Sequence, residues 1–170
     1  MTHIFIMQSL CQVWKPEWQG MVMAELSYRR GQAAVSPSYR VTVKEGRLVR
    51  ISALDDATGE EMGMVLLPQK KGKAGEKTGP TGEPWRSFSA DEVRNFSRSL
   101  GDHNAIHQGV CPIVSGFQLF SSLQEVDRFP SAKLRFYASI KAGEVVYLKR
   151  ESQGWTGYTD TRCFSYEEKK

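Results

Sequence analysis

An α+β domain, with helices packed on antiparallel sheet, is predicted by three features of this 170-residue chain. Short β-rich segments with loose period-two alternation fill both ends of it. Turn residues punctuate those segments at hairpin-like intervals. Between them lie two helical patterns, one amphipathic with a capping signal, the other apolar around much of its circumference, as a deeply buried helix is. The order sheet, helix, buried helix, sheet fits helices that pack on a sheet and share one core with it.

The elements follow in order. Residues 4–14 are apolar enough for one strand, which Lys15-Pro16-Glu17 ends. No basic residue precedes Ile4-Phe5-Ile6-Met7, and Gln8, Ser9 and Gln12 soon interrupt the run, so a strand is expected there and not a signal peptide. Met21 to Tyr28 alternates loosely, Arg29-Arg30-Gly31 forms a turn, and Ser36-Pro37-Ser38 is a breaker. Tyr39 to Val43 alternates cleanly, and Arg47 to Leu54 returns with Val49, Ile51 and Ala53 on one face. Between them Gly46 is expected to supply the positive φ of a tight hairpin. Asp55 to Gly59 is a loop and Met62 to Leu67 a further strand.

Residues 68–85 change character. From Pro68 to Pro84 there is no apolar side chain larger than alanine or proline, and Lys, Gly and Pro dominate. Such a segment buries too little surface to offset its ordering entropy, so a flexible linker is expected, in preference to a phosphate-seeking arm. It divides the chain into an N-terminal β-rich half (1–67) and a C-terminal region (86–170). In the latter, Ser89 and Glu92 form a capping-box pair, Phe88 and Val93 take the flanking staple positions, and Val93, Phe96 and Leu100 follow at helical spacing. Gly101 is a natural terminator. A second helix runs from Ser115-Gly116 through Phe117, Leu119, Phe120, Leu123 and Val126, and Asp127-Arg128-Phe129-Pro130 ends it. Ala132 to Ile140 reads as a strand, Lys141-Ala142-Gly143 as a turn, Glu144 to Arg150 as a strand, and Trp155 to Tyr166 as a final strand.

Composition narrows the chemistry. At 40% hydrophobic and 25% charged residues the chain can build its own core without disulfides or metal. A formal charge of +4 suits anionic, phosphate-bearing small ligands and does not demand nucleic acid, and no nucleic-acid partner is expected. Cys11, Cys111 and Cys163 are scattered, with no CxxC pair, which argues against a disulfide framework and a thiolate zinc site and for a reducing cytoplasm. No run of roughly 18 apolar residues occurs, so no membrane span is expected.

The candidate chemistry lies in Leu100-Gly101-Asp102-His103-Asn104-Ala105-Ile106-His107, on the loop after the capped helix. A carboxylate (Asp102) and an imidazole (His107) held close together can divide proton work, one accepting from water while the other delivers. Asn104 can orient either partner or a substrate carbonyl. His103 reads as a surface side chain. The spacing lacks an HExxH zinc pattern, and no metal is expected. Val110, Pro112 and Ile113 around Cys111 predict a buried, inert thiol. Ser115-Gly116 is not a GxSxG elbow.

The stretch Phe96 to His107 resembles the Gly-Asp-x-Asn-Pro-x-His signature of the MaoC-like dehydratases, or (R)-specific enoyl-CoA hydratases. Pro112-Ile113-Val114-Ser115-Gly116 resembles that family's Pro-Ile-Val-His-Gly segment, and Leu134-Arg135-Phe136 through Lys141-Ala142-Gly143-Glu144-Val145 resembles its strand, turn and strand. These three motifs stand in the family's order over roughly residues 86–150. The resemblance implies a hot-dog fold: a curved antiparallel sheet wrapped round a central helix, here 115–126, with extra N-terminal strands that complete the sheet or form a degenerate second hot dog without a helix. It implies hydration or dehydration of a 2-enoyl or 3-hydroxyacyl thioester, carried on CoA or an acyl carrier protein and needing no further cofactor. Asp102 and His107 would be catalytic, with Asn104, Ser115 and Gly116 at the substrate. It also implies pairing, as a homodimer, as paired hot dogs, or with a hetero-partner. Three departures are visible. Ala105 replaces the usual proline, Ser115 replaces the usual histidine, and only four residues separate His107 from Pro112. A hot-dog thioesterase and a non-catalytic acyl-thioester-binding subunit are the alternatives.

Overall fold

A computed structural model describes residues 3–33, 35–69 and 76–170. Nine strands form one antiparallel sheet: β1 (Val22–Arg29), β2 (Arg40–Lys44), β3 (Val49–Leu54), β4 (Glu61–Leu67), β5 (Glu83–Ser87), β6 (Ser131–Phe136), β7 (Val145–Glu151), β8 (Gly154–Tyr158) and β9 (Arg162–Glu168). Their order across the sheet is β2-β3-β4-β1-β6-β9-β8-β7-β5. Three helices join them: α1 (Ile4–Gln12), α2 (Ala90–Leu100) and α3 (Gly116–Val126).

The core is a row of side chains carried by register. Val43, Ile51, Met64, Leu26, Leu134 and Tyr166 are successive partners across six neighbouring strands. All but Val43 are buried. In-register pairing keeps them on one face, because side chains alternate with period two. The central helix α3 crosses this face. Its Phe120 ring stands 5.3 Å from that of Tyr28 and 6.4 Å from that of Tyr166, both edge-on. The Gln124 amide donates to the Tyr166 hydroxyl at 2.7 Å. Nearly every residue of α3 is buried, as its all-round apolar pattern predicts.

The topology contains a repeat. After α1, strands β1, β2, β3 and β4 lie in the order β1-β4-β3-β2, counted outward from the centre of the sheet. After α3, strands β6, β7, β8 and β9 lie in the order β6-β9-β8-β7. The two units meet where β1 pairs antiparallel with β6, from Glu25↔Arg135 to Arg29↔Ser131. The second unit has in addition β5, which closes its outer edge on β7. The described residues thus form two units of the same strand order sharing one sheet, the second with one additional edge strand.

Four local expectations are corrected. Residues 4–14 do not form a strand. Ile6, Met7, Leu10 and Cys11 are buried together on α1, a spacing of one, three and one that suits a helix face and not a pleat. The N-terminal unit therefore has its helix, which lies over β3 and β4. Gly46 does not take positive φ. Lys44 pairs with Arg50, leaving a longer loop that needs no left-handed residue. The stretch expected as linker ends earlier than residue 85, because Glu83 already pairs with Leu148. Residues 70–75 of that stretch lie outside the described residues. Finally, Trp155 to Tyr166 is a hairpin and not one strand. Tyr158 pairs with Arg162 across Thr159-Asp160-Thr161, a turn without glycine that gave no punctuation signal.

Candidate active site

The loop bearing the polar cluster is held by local chemistry at its start. Ser89 caps α2 with the reciprocal Glu92 bonds of a capping box. At the other end Gly101 takes φ 69°, its N–H reaches the Arg98 carbonyl, and the Asp102 N–H reaches the Ser97 carbonyl at 3.0 Å. This is the Schellman closure, and it fixes the backbone of Asp102 as the first residue beyond the helix. The Asp102 Oδ1 then accepts the Asn104 N–H at 3.0 Å. Asn104 caps a single 3-10 turn, Ala105–His107, which delivers His107 back beside Asp102.

Asp102 Oδ2 and His107 Nε2 stand 3.6 Å apart, with side chains only 8% and 10% exposed. The other imidazole nitrogen, Nδ1, lies 2.7 Å from the Ile113 carbonyl oxygen. A carbonyl can only accept, so Nδ1 bears a proton, and in the neutral tautomer this leaves Nε2 as the acceptor. Ile113 is itself fixed. Its neighbours Pro112 and Val114 bond to Ala142 and Ile140, and its own N–H reaches the Ile106 carbonyl. In that tautomer two acceptors stand side by side, 3.6 Å apart, with room for a shared water beside them and not between them. A water molecule there can donate one O–H to each.

Both groups line a cavity of about 1440 Å³ at the junction of the two units. From the C-terminal unit come Asp102, Asn104, His107, Ser115, Gly116 and Phe136; from the N-terminal unit come Cys11, Trp14, Met23, Met64 and Leu66. Drug-sized ligand pockets are roughly 300–1000 Å³, so this one has the volume for a sizeable ligand. Burial first, and then the neighbouring Asp102 carboxylate, push the Cys11 thiol well above its ordinary range, so it stays a neutral wall residue.

The expected substrate-side residues are also here. Ser115 is buried at the cavity, and its hydroxyl caps α3 by accepting the Phe117 N–H at 3.3 Å. Gly116 opens the helix, and first-turn N–H groups have no partner within their helix, so they favour negative charge. A Cβ on Gly116 would stand 2.6 Å from the Met23 sulfur and 3.0 Å from Phe136, so the position admits nothing larger without displacing them. Asn104 is 4% exposed and directs its amide to backbone. Its Oδ1 accepts from Gly20 N–H at 3.2 Å and from Ile106 N–H at 3.4 Å, and its Nδ2 donates to the Met21 carbonyl at 2.9 Å.

His103 is exposed, as expected. Cys111 is exposed too, which overturns the expectation of burial. The short loop turns outward there because the Arg94 guanidinium, itself paired with Asp91, grips the Gly109 and Val110 carbonyls and leaves Val110 95% exposed. Sequence inspection also misses the N-terminal contributors to the site. Gln19, Gly20 and Met21 carry no local motif, and they bond to residues 83 to 86 positions away.

The molecule is a hot-dog protein, with the antiparallel sheet and helix arrangement of the MaoC-like dehydratase fold. No family model matches the chain, and no curated protein matches it. Among solved structures it is similar to HtdX from Mycobacterium tuberculosis, with 16% identity, a TM-score of 0.61, and coverage of 99% of this chain and 85% of that one. It is similar to a MaoC-like dehydratase from Phytophthora capsici, with 16% identity, a TM-score of 0.50, and coverage of 94% and 74%. It also aligns with the full-length peroxisomal multifunctional enzyme type 2 of Drosophila melanogaster, with 15% identity and a TM-score of 0.54, over 98% of this chain and 40% of that one.

Proposed function

We propose that this chain adds water to a 2-enoyl thioester, or removes it from a 3-hydroxyacyl thioester. The observation that carries the proposal is the convergence of Asp102 Oδ2 and His107 Nε2 across 3.6 Å at the wall of a large cavity. The pair holds and polarises a water molecule. Its proton passes to the pair as the C–O bond forms at the β-carbon and electrons move to the thioester oxygen. The Gly116 end of α3 offers its first-turn amide to that oxygen. The enolate then collapses, and the pair returns one proton to the α-carbon. Water is thus divided into a hydroxyl on one carbon and a hydrogen on the next, and dehydration is the reverse.

Three cations support a phosphate-bearing carrier for the acyl group. Lys44, Arg47 and Arg50 are exposed and line the same cavity, so they stand where it meets solvent. Lys44 and Arg50 are direct cross-strand partners, a like-charge pair that costs stability until an anion sits over it. Among the described residues, none of the three has a carboxylate within 4.0 Å, unlike the nearby pair Lys15 and Glu45 at 2.9 Å. Among the described residues no helix is long and apolar enough to cross a membrane.

The test is direct. Purified protein should shift the conjugated enoyl-thioester absorbance of short- or medium-chain substrates without releasing thiol. Thiol release would mean a hydrolase on the same scaffold. Saturable binding with neither change would mean a non-catalytic thioester-binding subunit. Either result overturns the proposal.

A further inference from the structure

The loop that carries Asp102 and His107 is held from outside by the segment that links α1 to β1. Gln19 lies along its backbone with both ends of the side-chain amide engaged. Nε2 donates to the His103 carbonyl at 2.8 Å, and Oε1 accepts the Ala105 N–H at 2.9 Å. Asn104, between these two residues, bonds in the opposite direction to Gly20 N–H and the Met21 carbonyl. Residues 19–21 and 103–105 are thus laced by four hydrogen bonds, two from each strand's amide side chain. Gln19 is the exposed member of this lacing and Asn104 the buried one.

The local backbone shows why a clamp is needed there. Ala105 is the first residue of the 3-10 turn, and Asn104 before it has φ −69° and ψ 117°. These dihedrals lie in the extended region toward which a proline at position 105 biases the residue before it, and the first position of a helical turn is where proline fits. The turn is therefore proline-compatible but built on alanine. Alanine leaves the loop freer and leaves an N–H that needs an acceptor. Gln19 supplies that acceptor.

We infer that Gln19 is a positioning residue: its amide locks the turn that sets the separation of Asp102 Oδ2 from His107 Nε2, in place of a rigid residue at 105. The catalytic arm of this inference rests on the proposed hydration; the structural arm does not. The experiment has both. Amide hydrogen exchange of residues 103–107 is measured on the substrate-free full chain for wild type, Gln19→Ala, Ala105→Pro and the double variant. Gln19 is exposed, so its truncation leaves the core intact. Gln19→Ala should raise exchange at Ala105 and also at Asn104, Ile106 and His107, with α2 unchanged. In the double variant, where proline removes the orphaned N–H, exchange at Asn104, Ile106 and His107 should return to the wild-type level.

In turnover, Gln19→Ala should lower kcat by about 10- to 100-fold with KM within about twofold, because misplaced reacting groups cost rate more than binding. Ala105→Pro in the same chain should restore most of that loss. Gln19→Glu keeps an acceptor for the Ala105 N–H but cannot donate to the His103 carbonyl, so its exchange and its kcat should fall between those of wild type and Gln19→Ala. Wild-type exchange at 104, 106 and 107 in Gln19→Ala overturns the clamp, whether or not the chain is active. Raised exchange in a chain that never turns over an enoyl thioester keeps the clamp and rejects the reaction.

Discussion

The two units of this molecule follow one plan, a helix and then four strands in the same relative order, and they have diverged in what they contribute. The C-terminal unit holds Asp102 and His107 on the loop after α2, and among the described residues the N-terminal unit has no counterpart of β5 and α2. Among the described residues the N-terminal unit brings no carboxylate–imidazole pair to the cavity. It supplies the far wall through Cys11, Trp14 and Met64, the cationic rim through Lys44, Arg47 and Arg50, and the Gln19–Met21 brace on the catalytic loop. Its own helix is anchored by a different polar cluster. The Tyr28 and Tyr39 hydroxyls both donate to Glu60, and the His3 ring at the head of α1 lies within 3.8 Å of the same carboxylate. Two units of like topology thus meet one cavity with different side chains, the Asp102–His107 pair from one and the apolar wall and cationic rim from the other.

That division can be broken at its strongest point first. Asp102→Asn or His107→Ala should lower kcat by about 10²–10⁴-fold while the protein still folds and still binds a thioester, measured by steady-state turnover beside ligand titration. Retained activity in both variants would move the chemistry elsewhere. The next largest effect is expected in the other unit. Charge reversal of Lys44, Arg47 and Arg50 to Glu should raise KM by about 10-fold or more, with a weaker salt dependence of kcat/KM and an unchanged kcat. A fall in kcat alone would mean that the rim takes part in catalysis and that the division is wrong.

The smallest effect concerns pH and the N-terminal helix. Burial, only partly opposed by Glu60, lowers the pKa of His3 below its ordinary 6.5, and Arg30 and Arg128 act in the same direction as burial. The unfolded chain then binds this proton more readily than the folded one. The His3 contribution to stability is therefore intact above 6.5 and is lost as pH falls from there through the lowered folded value. His3→Gln should flatten the slope of Tm against pH over that acidic window, even though it lowers Tm at every pH by removing ring contacts with Tyr28 and Phe120. An unchanged slope would show that the proton uptake resides elsewhere.

Legibility in the sequence followed the range of the forces. The capping box at Ser89 and Glu92, the Gly101 stop, and the all-round apolar α3 are written within one or two helical turns, and each stands where its pattern places it. The three ordered motifs led to a hot-dog fold because motif order constrains topology more than any single motif does. The Asp102 and His107 cluster was visible for the same local reason, as two residues five positions apart after a helix end. Residues 4–14 were misjudged because a short apolar run carries helix and strand periods almost equally, and here α2 and the β3–β4 surface decided for the helix. Cys111 was misjudged because its apolar neighbours say nothing of Arg94, whose side chain draws that loop outward.

Local sequence specifies the boundaries of α2 and α3, the buried face of β3 and the closeness of Asp102 to His107, since these depend on neighbours within a few residues. Tertiary packing alone brings α1 onto β3 and β4, lines one cavity from both units, and lays Gln19 along the turn that carries His107. The last of these depends on hydrogen bonds between residues more than 80 positions apart. No local pattern encodes such contacts, because they exist only once β1 has paired with β6.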